Sequence, residues 1–113
     1  MSVPVDEDHR FSVTAQRLDG QVIIHVGGEI DIATCERLRD AIEPHLGPQQ
    51  TMVLDLSEVE FMDSSCLGVL EQARGALTAD GGSLVLRNPS EAARLLLTAA
   101  GAQDLLDAVE QNA

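Results

Sequence analysis

The feature that most constrains this chain's fold is a near-continuous apolar run, Met52-Val53-Leu54-Asp55-Leu56. A strand with one wet face alternates apolar and polar residues; a strand covered on both faces need not. Such a strand belongs inside a sheet with layers packed against it. The stretch that follows, Phe61-Met62-Asp63-Ser64-Ser65-Cys66-Leu67-Gly68-Val69-Leu70, passes from strand through loop to helix. Cys66, Leu67, Leu70, Ala73 and Leu77 recur at helical spacing, which predicts a helix from Leu67 to Leu77 with that stripe in the core. Asp80-Gly81-Gly82 ends it, and Ser83-Leu84-Val85-Leu86-Arg87 is a second buried strand. Asn88-Pro89-Ser90-Glu91 opens another helix, with Asn88 as cap and Pro89 at the first helical position, and this helix runs to Gly101.

The N-terminal part has a different signature. Phe11 to Gln16 alternates apolar and polar residues, Asp19-Gly20 marks a tight turn, and Val22-Ile23-Ile24-His25-Val26 is β-branched, so the three make a hairpin. Gly27-Gly28-Glu29-Ile30-Asp31 then breaks the pattern. Its glycines suit a turn or a close backbone approach better than a phosphate cradle, since neither GxxxxGK[ST] nor GxGxxG occurs. From Ala33 to Leu46 the apolar residues follow helical spacing, with Pro44 shortening or kinking the last turn and Gly47-Pro48 stopping it. A short amphipathic segment, Leu105 to Val109, is expected at an edge. A hairpin followed by strand–helix alternation predicts an α/β fold whose mixed central sheet has parallel strands after the hairpin and right-handed crossovers. One domain, 11–113, is expected behind a flexible, polar N-terminal arm, 1–10.

Charge excludes several functions. The net charge is −12 and every basic side chain is Arg, so nucleic acid or an anionic membrane surface would be repelled. Aromatics are 2%, too few for a base-stacking platform. No signal peptide is legible and no apolar run approaches the roughly 20 residues of a membrane span, so the chain is expected in the cytoplasm.

Chemistry concentrates in the Asp63-Ser64-Ser65 turn. Side-chain oxygens there accept bonds from the free N–H groups of the helix start, and the helix dipole tolerates an added phosphate. The outer stripe of that helix, Ser64, Gly68, Gln72 and Gly75, is short for a solvent face and fits a surface against which a partner docks closely. Asp31 ends a loop of the same strand-to-helix kind, so it and Ser64 are candidate neighbours. An enzyme using Ser64 as nucleophile would need a base, yet His9, His25 and His45 have no surrounding motif and GxSxG is absent; no enzyme activity is expected. Cys35 and Cys66 lack the tight spacing of a metal or redox pair and are read as buried thiols in a reducing compartment, with a disulfide or redox sensor as the alternative. No metal site and no cofactor are expected.

The sequence from Asp55 to Gly68, with Gly28-Glu29-Ile30-Asp31 as a second matching stretch, resembles the STAS-domain family and in particular its single-domain anti-sigma factor antagonists. The order of elements agrees from about Phe11 to Val109. Cys66 stands where the family usually has Gly. The resemblance implies a STAS-like sheet covered by about four helices. It also implies a partner switch in which the unphosphorylated protein binds an anti-sigma factor that is a serine kinase, and so frees a sigma factor. Phosphorylation at Ser64, with Ser65 as second choice, ends that contact, and a serine phosphatase resets it. Asp31, Asp63, Ser64, Gly68 and Gln72 are the expected partner-binding residues. The alternative is a STAS interaction module of another assembly, such as a stress-signalling scaffold or a lipid-transport complex.

Overall fold

A computed structural model of the protein describes residues 11–110. The expected arm, 1–10, and the last three residues of the expected domain lie outside the described residues. Four strands, β1 (Phe11–Leu18), β2 (Gln21–Ile30), β3 (Thr51–Met62) and β4 (Ser83–Arg87), form one sheet in the order β1-β2-β3-β4. The β1–β2 pair is antiparallel, and β2–β3 and β3–β4 are parallel. Helices α1 (Cys35–Ile42), α2 (Leu67–Ala79), α3 (Glu91–Ala99) and α4 (Gln103–Asp107) make the connections and the cover. The mixed sheet and four helices are those expected.

The hairpin turns through Asp19 and Gly20, both at positive φ, as a two-residue turn between twisted strands requires. Val22, Ile24 and Val26 of β2, Met52, Leu54 and Leu56 of β3, and Leu84 and Leu86 of β4 are buried in the main core with Leu38, Ile42, Leu70, Leu77, Leu97 and Leu105 from the helices. Ile23 and Val53, which alternation places on the other face, are buried too. The apolar run in β3 is thus covered on both sides, as its lack of alternation requires.

Three local expectations are corrected. Gly27 to Ile30 is not a break: β2 continues through it, with register shifts between His25 and Gly27 and between Gly28 and Glu29. The glycines serve those bulges, Gly28 through a φ of 83° and Gly27 through close approach, since a Cβ there would lie 3.0 Å from Ser12 Oγ and 3.3 Å from Glu58 Cβ. The first helix-forming segment starts later than Ala33, at Cys35, and after Ile42 tightens into a 3₁₀ turn, Glu43–His45, around Pro44. The cap of α3 is Ser90, not Asn88: Ser90 Oγ accepts from Ala93 N–H at 3.1 Å, while Asn88 adopts a positive φ in the preceding turn. At the far end, Leu86 N–H donates to Ala108 O and Glu110 N–H to Leu86 O, so the C-terminal segment seals the β4 edge as expected.

Candidate functional site

The site begins where β3 runs out. Asp63 stays extended, and its Oδ1 accepts the Ser65 N–H at 2.8 Å while its carbonyl accepts Cys66 N–H at 2.9 Å. Ser64 to Cys66 then make one 3₁₀ turn before α2 starts. Met62 and Cys66 are buried and pin the turn from both sides, leaving Ser64 and Ser65 exposed between them. The backbone and side-chain hydrogen bonds from Ser65 hold the Asp63 carboxyl below its ordinary pKa. Ser65 is thereby engaged with Asp63; no hydrogen bond holds the Ser64 side chain among the described residues.

The loop after β2 lies against this turn. Asp63 N–H donates to Ile30 O at 2.8 Å, joining the two strand ends by a backbone bond. Asp31 organises the loop itself. Its Oδ1 accepts from the Ala33 and Thr34 N–H groups, both at 3.0 Å, and its N–H donates to Thr34 Oγ1 at 2.9 Å. Thr34 Oγ1 in turn lies 3.1 Å from both Asp31 Oδ1 and Glu29 O, the acceptors available to its hydroxyl. The expected closeness of the Asp31 and Ser64 loops therefore holds, and Asp31 has a task in its own loop besides any contact with a partner.

The two cysteines correct the sequence reading. Both are buried as expected, but they are not separate thiols: Cys35, at the start of α1, and Cys66, at the end of the 3₁₀ turn, form a disulfide with a Cα–Cα separation of 5.5 Å. Thirty-one positions apart in sequence, they meet because the two strand-to-helix loops pack side by side.

Beyond the turn, Gly68, Gln72 and Gly75 are exposed on α2, in line with Ser64. Gln72 also lines a groove of about 200 Å³ between α1 and α2, with Ile42, Leu46, Val69, Ala73 and Ala76. Sequence reasoning missed two residues here. Ile32, in the loop after β2, and Phe61, near the end of β3, are 75% and 48% exposed, so each side of the junction carries an apolar side chain in water. The available signal was an Ile placed in an otherwise polar loop and one of only two aromatic residues beside the serine turn. A larger hollow, about 570 Å³, lies at the β2 bulges, but Glu58 and Glu60 line it with Gly27 and Gly28. Carboxylates there repel a phosphate, which disposes of the cradle reading of the glycines. His25 sits elsewhere on the sheet, its Nδ1 3.5 Å from Asp55 Oδ2.

Known proteins share this fold. An anti-sigma-B factor antagonist of Bacillus subtilis is 29% identical over 97 residues, 86% of this chain and 89% of that protein. The crystal structure of an anti-sigma factor antagonist from Mycobacterium paratuberculosis superposes with a TM-score of 0.73 at 28% identity, covering 83% of this chain and 80% of that one. SpoIIAA, an anti-sigma factor antagonist, superposes at 24% identity in its unphosphorylated form (TM-score 0.71, 90% of this chain and 89% of that one) and in its phosphorylated form (TM-score 0.69, 90% and 92%). The profile of the STAS domain matches residues 12–112, essentially the whole of the fold described above, and the chain belongs to that family.

Proposed function

We propose that this chain is an anti-sigma factor antagonist switched by phosphorylation at Ser64. The unmodified protein binds an anti-sigma factor with serine-kinase activity in the cytoplasm and frees a sigma factor; the kinase phosphorylates Ser64, and a serine phosphatase reverses it. The observation that carries the reading is the exposed Ser64 hydroxyl at a pinned turn whose other serine is engaged with Asp63. The relatives named as anti-sigma factor antagonists support the same role.

The docking face is the Ser64-Gly68-Gln72 stripe, flanked by Ile32, Phe61 and the Asp31 loop. Exposed apolar side chains ringed by polar ones are what a partner buries. A phosphate adds about −1.5 to −2 charge beside Asp63. At a helix start that charge is tolerated by the fold, so its effect falls on the interface as bulk and like-charge repulsion. The superposition on both forms of SpoIIAA accords with a switch that leaves the fold in place.

Mass spectrometry of the protein isolated from its own cells tests this directly. Phosphate on Ser64 is expected, and its absence under every growth condition sinks the reading. A pull-down from the same cells should recover a kinase of the sigma-regulating kind; recovery of a membrane transport complex instead would favour the alternative assembly.

A further inference from the structure

We propose that Cys35 and Cys66 are a reversible thiol–disulfide pair that gives the Ser64 face a second input: the closed disulfide locks the serine turn and slows its phosphorylation. This rests on the function proposed above. Cys66 is two residues from Ser64, and Cys35 heads the helix that follows the Asp31 loop. The bond therefore ties the two halves of the docking face together at the turn that must offer its hydroxyl.

Two observations speak for a reversible pair rather than a structural staple. The fold has a contiguous core drawn from every strand and all four helices, and a domain of this size is stable without cross-links. The open state is also provided for. Cys66 Sγ lies 3.3 Å from Asp31 O and 3.6 Å from Ile30 O, so once the two sulfurs have moved apart on reduction, carbonyl acceptors stand close by for the Cys66 thiol. A protein that acts beside a sigma factor works among reducing thiols, where disulfides are characteristically transient and sensing.

The chemistry balances with two co-reactants. On closure, the Cys35 thiolate attacks a hydroperoxide oxygen and becomes a sulfenic acid, with water or an alcohol as the other product. The Cys66 sulfur then displaces hydroxide from Cys35, which takes up the Cys66 proton and leaves as water; two electrons have passed from the sulfurs to the O–O bond. Cys35 reacts first because it is the less buried, at 9% exposure against 1% for Cys66. On opening, a small thiol attacks Cys35 and expels the Cys66 thiolate, and a second thiol releases Cys35 as a low-molecular-weight disulfide leaves.

In this proposal the kinase takes the exposed Ser64 from a turn, Asp63 to Cys66, that opens locally to fit the kinase's active site. Cross-linking Cys66 to α1 raises the cost of that opening, while the resting docking surface is unchanged. Oxidation thus keeps the protein in its unphosphorylated, partner-binding form.

Amide hydrogen exchange on the purified full chain, oxidised with hydrogen peroxide or reduced with dithiothreitol, tests the lock without any substitution. Exchange across 62–68 is expected to be about tenfold slower in the oxidised protein; equal rates overturn the proposal. In cells, mass spectrometry with differential alkylation reads the disulfide and Ser64 phosphate in one sample. Peroxide should raise the first and lower the second in the wild type, but leave phosphate unchanged in Cys35→Ser. Phosphate that ignores oxidation, or falls equally in Cys35→Ser, overturns the redox input alone. If Ser64 never carries phosphate, the switch reading falls, and the exchange measurement still decides whether the pair locks the turn.

Discussion

Asp63 does more for the turn than its small side chain suggests. Its carboxylate is held by Ser65, which lowers its pKa, and the sign of the consequence follows. A group ionised more readily in the fold than in the unfolded chain stabilises the fold above its unfolded pKa, near the ordinary value of 3.8. That contribution disappears as pH falls through the lower folded value. Glu110, lowered by its hydrogen bond from Arg87, behaves in the same way. Urea unfolding should therefore show a midpoint that drops on going from pH 5 to pH 3, with a shallower drop in Asp63→Asn. At Ser64 itself, Ser64→Asp is expected to keep the wild-type circular dichroism while losing about 100-fold in affinity for the kinase, roughly 3 kcal/mol. Ser64→Ala should bind but take up no phosphate; equal incorporation into that variant would move the site to Ser65. The role of Ser65 as the engaged partner of Asp63 was not legible in the sequence, because two adjacent serines look alike until the turn decides which one faces the carboxylate.

Among the elements, α2 carries the docking stripe and shows how its glycines divide. Gly81, at a φ of 82°, and Gly82 close the helix: Gly81 N–H donates to Thr78 O at 3.1 Å and Gly82 N–H to Leu77 O at 2.7 Å, the paired bonds of a left-handed helix end. A Cβ on Gly82 would strike Gln50 O and lie 2.8 Å from Gln50 N, at the start of β3. Gly82→Ala should cost about 2 kcal/mol, measured by chemical denaturation, because backbone on both sides must move. Gly68 and Gly75 have open space around them. Gly75→Ala should thus raise stability by about 0.5–1 kcal/mol. If the stripe docks a partner, Gly68→Lys keeps the fold and weakens binding; unchanged affinity would leave those glycines as mere poor helix formers. Helix and strand types were readable from spacing, but the reach of β2 and β3 was not. Ser57 to Phe61 lacks an apolar run, and it is extended because the bulged end of β2 offers it a hydrogen-bonding edge.

At the level of the whole molecule, the two strand-to-helix loops converge at one end of the sheet, and the disulfide closes a loop of about 31 positions between them. By chain-entropy reasoning such a closure is worth about 3–4 kcal/mol against the unfolded state. Reduction should lower the melting temperature of the wild type by roughly 10 °C or more and leave Cys35→Ser, which cannot close the loop, insensitive to dithiothreitol. A wild type whose melting ignores reduction would mean that the bond does not constrain the unfolded chain.

The amino-acid sequence by itself determined the fold class, the hairpin, the parallel core strands and the serine turn, because each is written in neighbouring residues through periodicity, turn chemistry and capping. Tertiary structure alone decided that Cys35 meets Cys66, that Asp63 N–H reaches Ile30 O, and that Ile32 and Phe61 remain in water. Those outcomes depend on how two distant loops pack across adjacent parallel strands, and no local pattern encodes a distance between segments that only the sheet brings together.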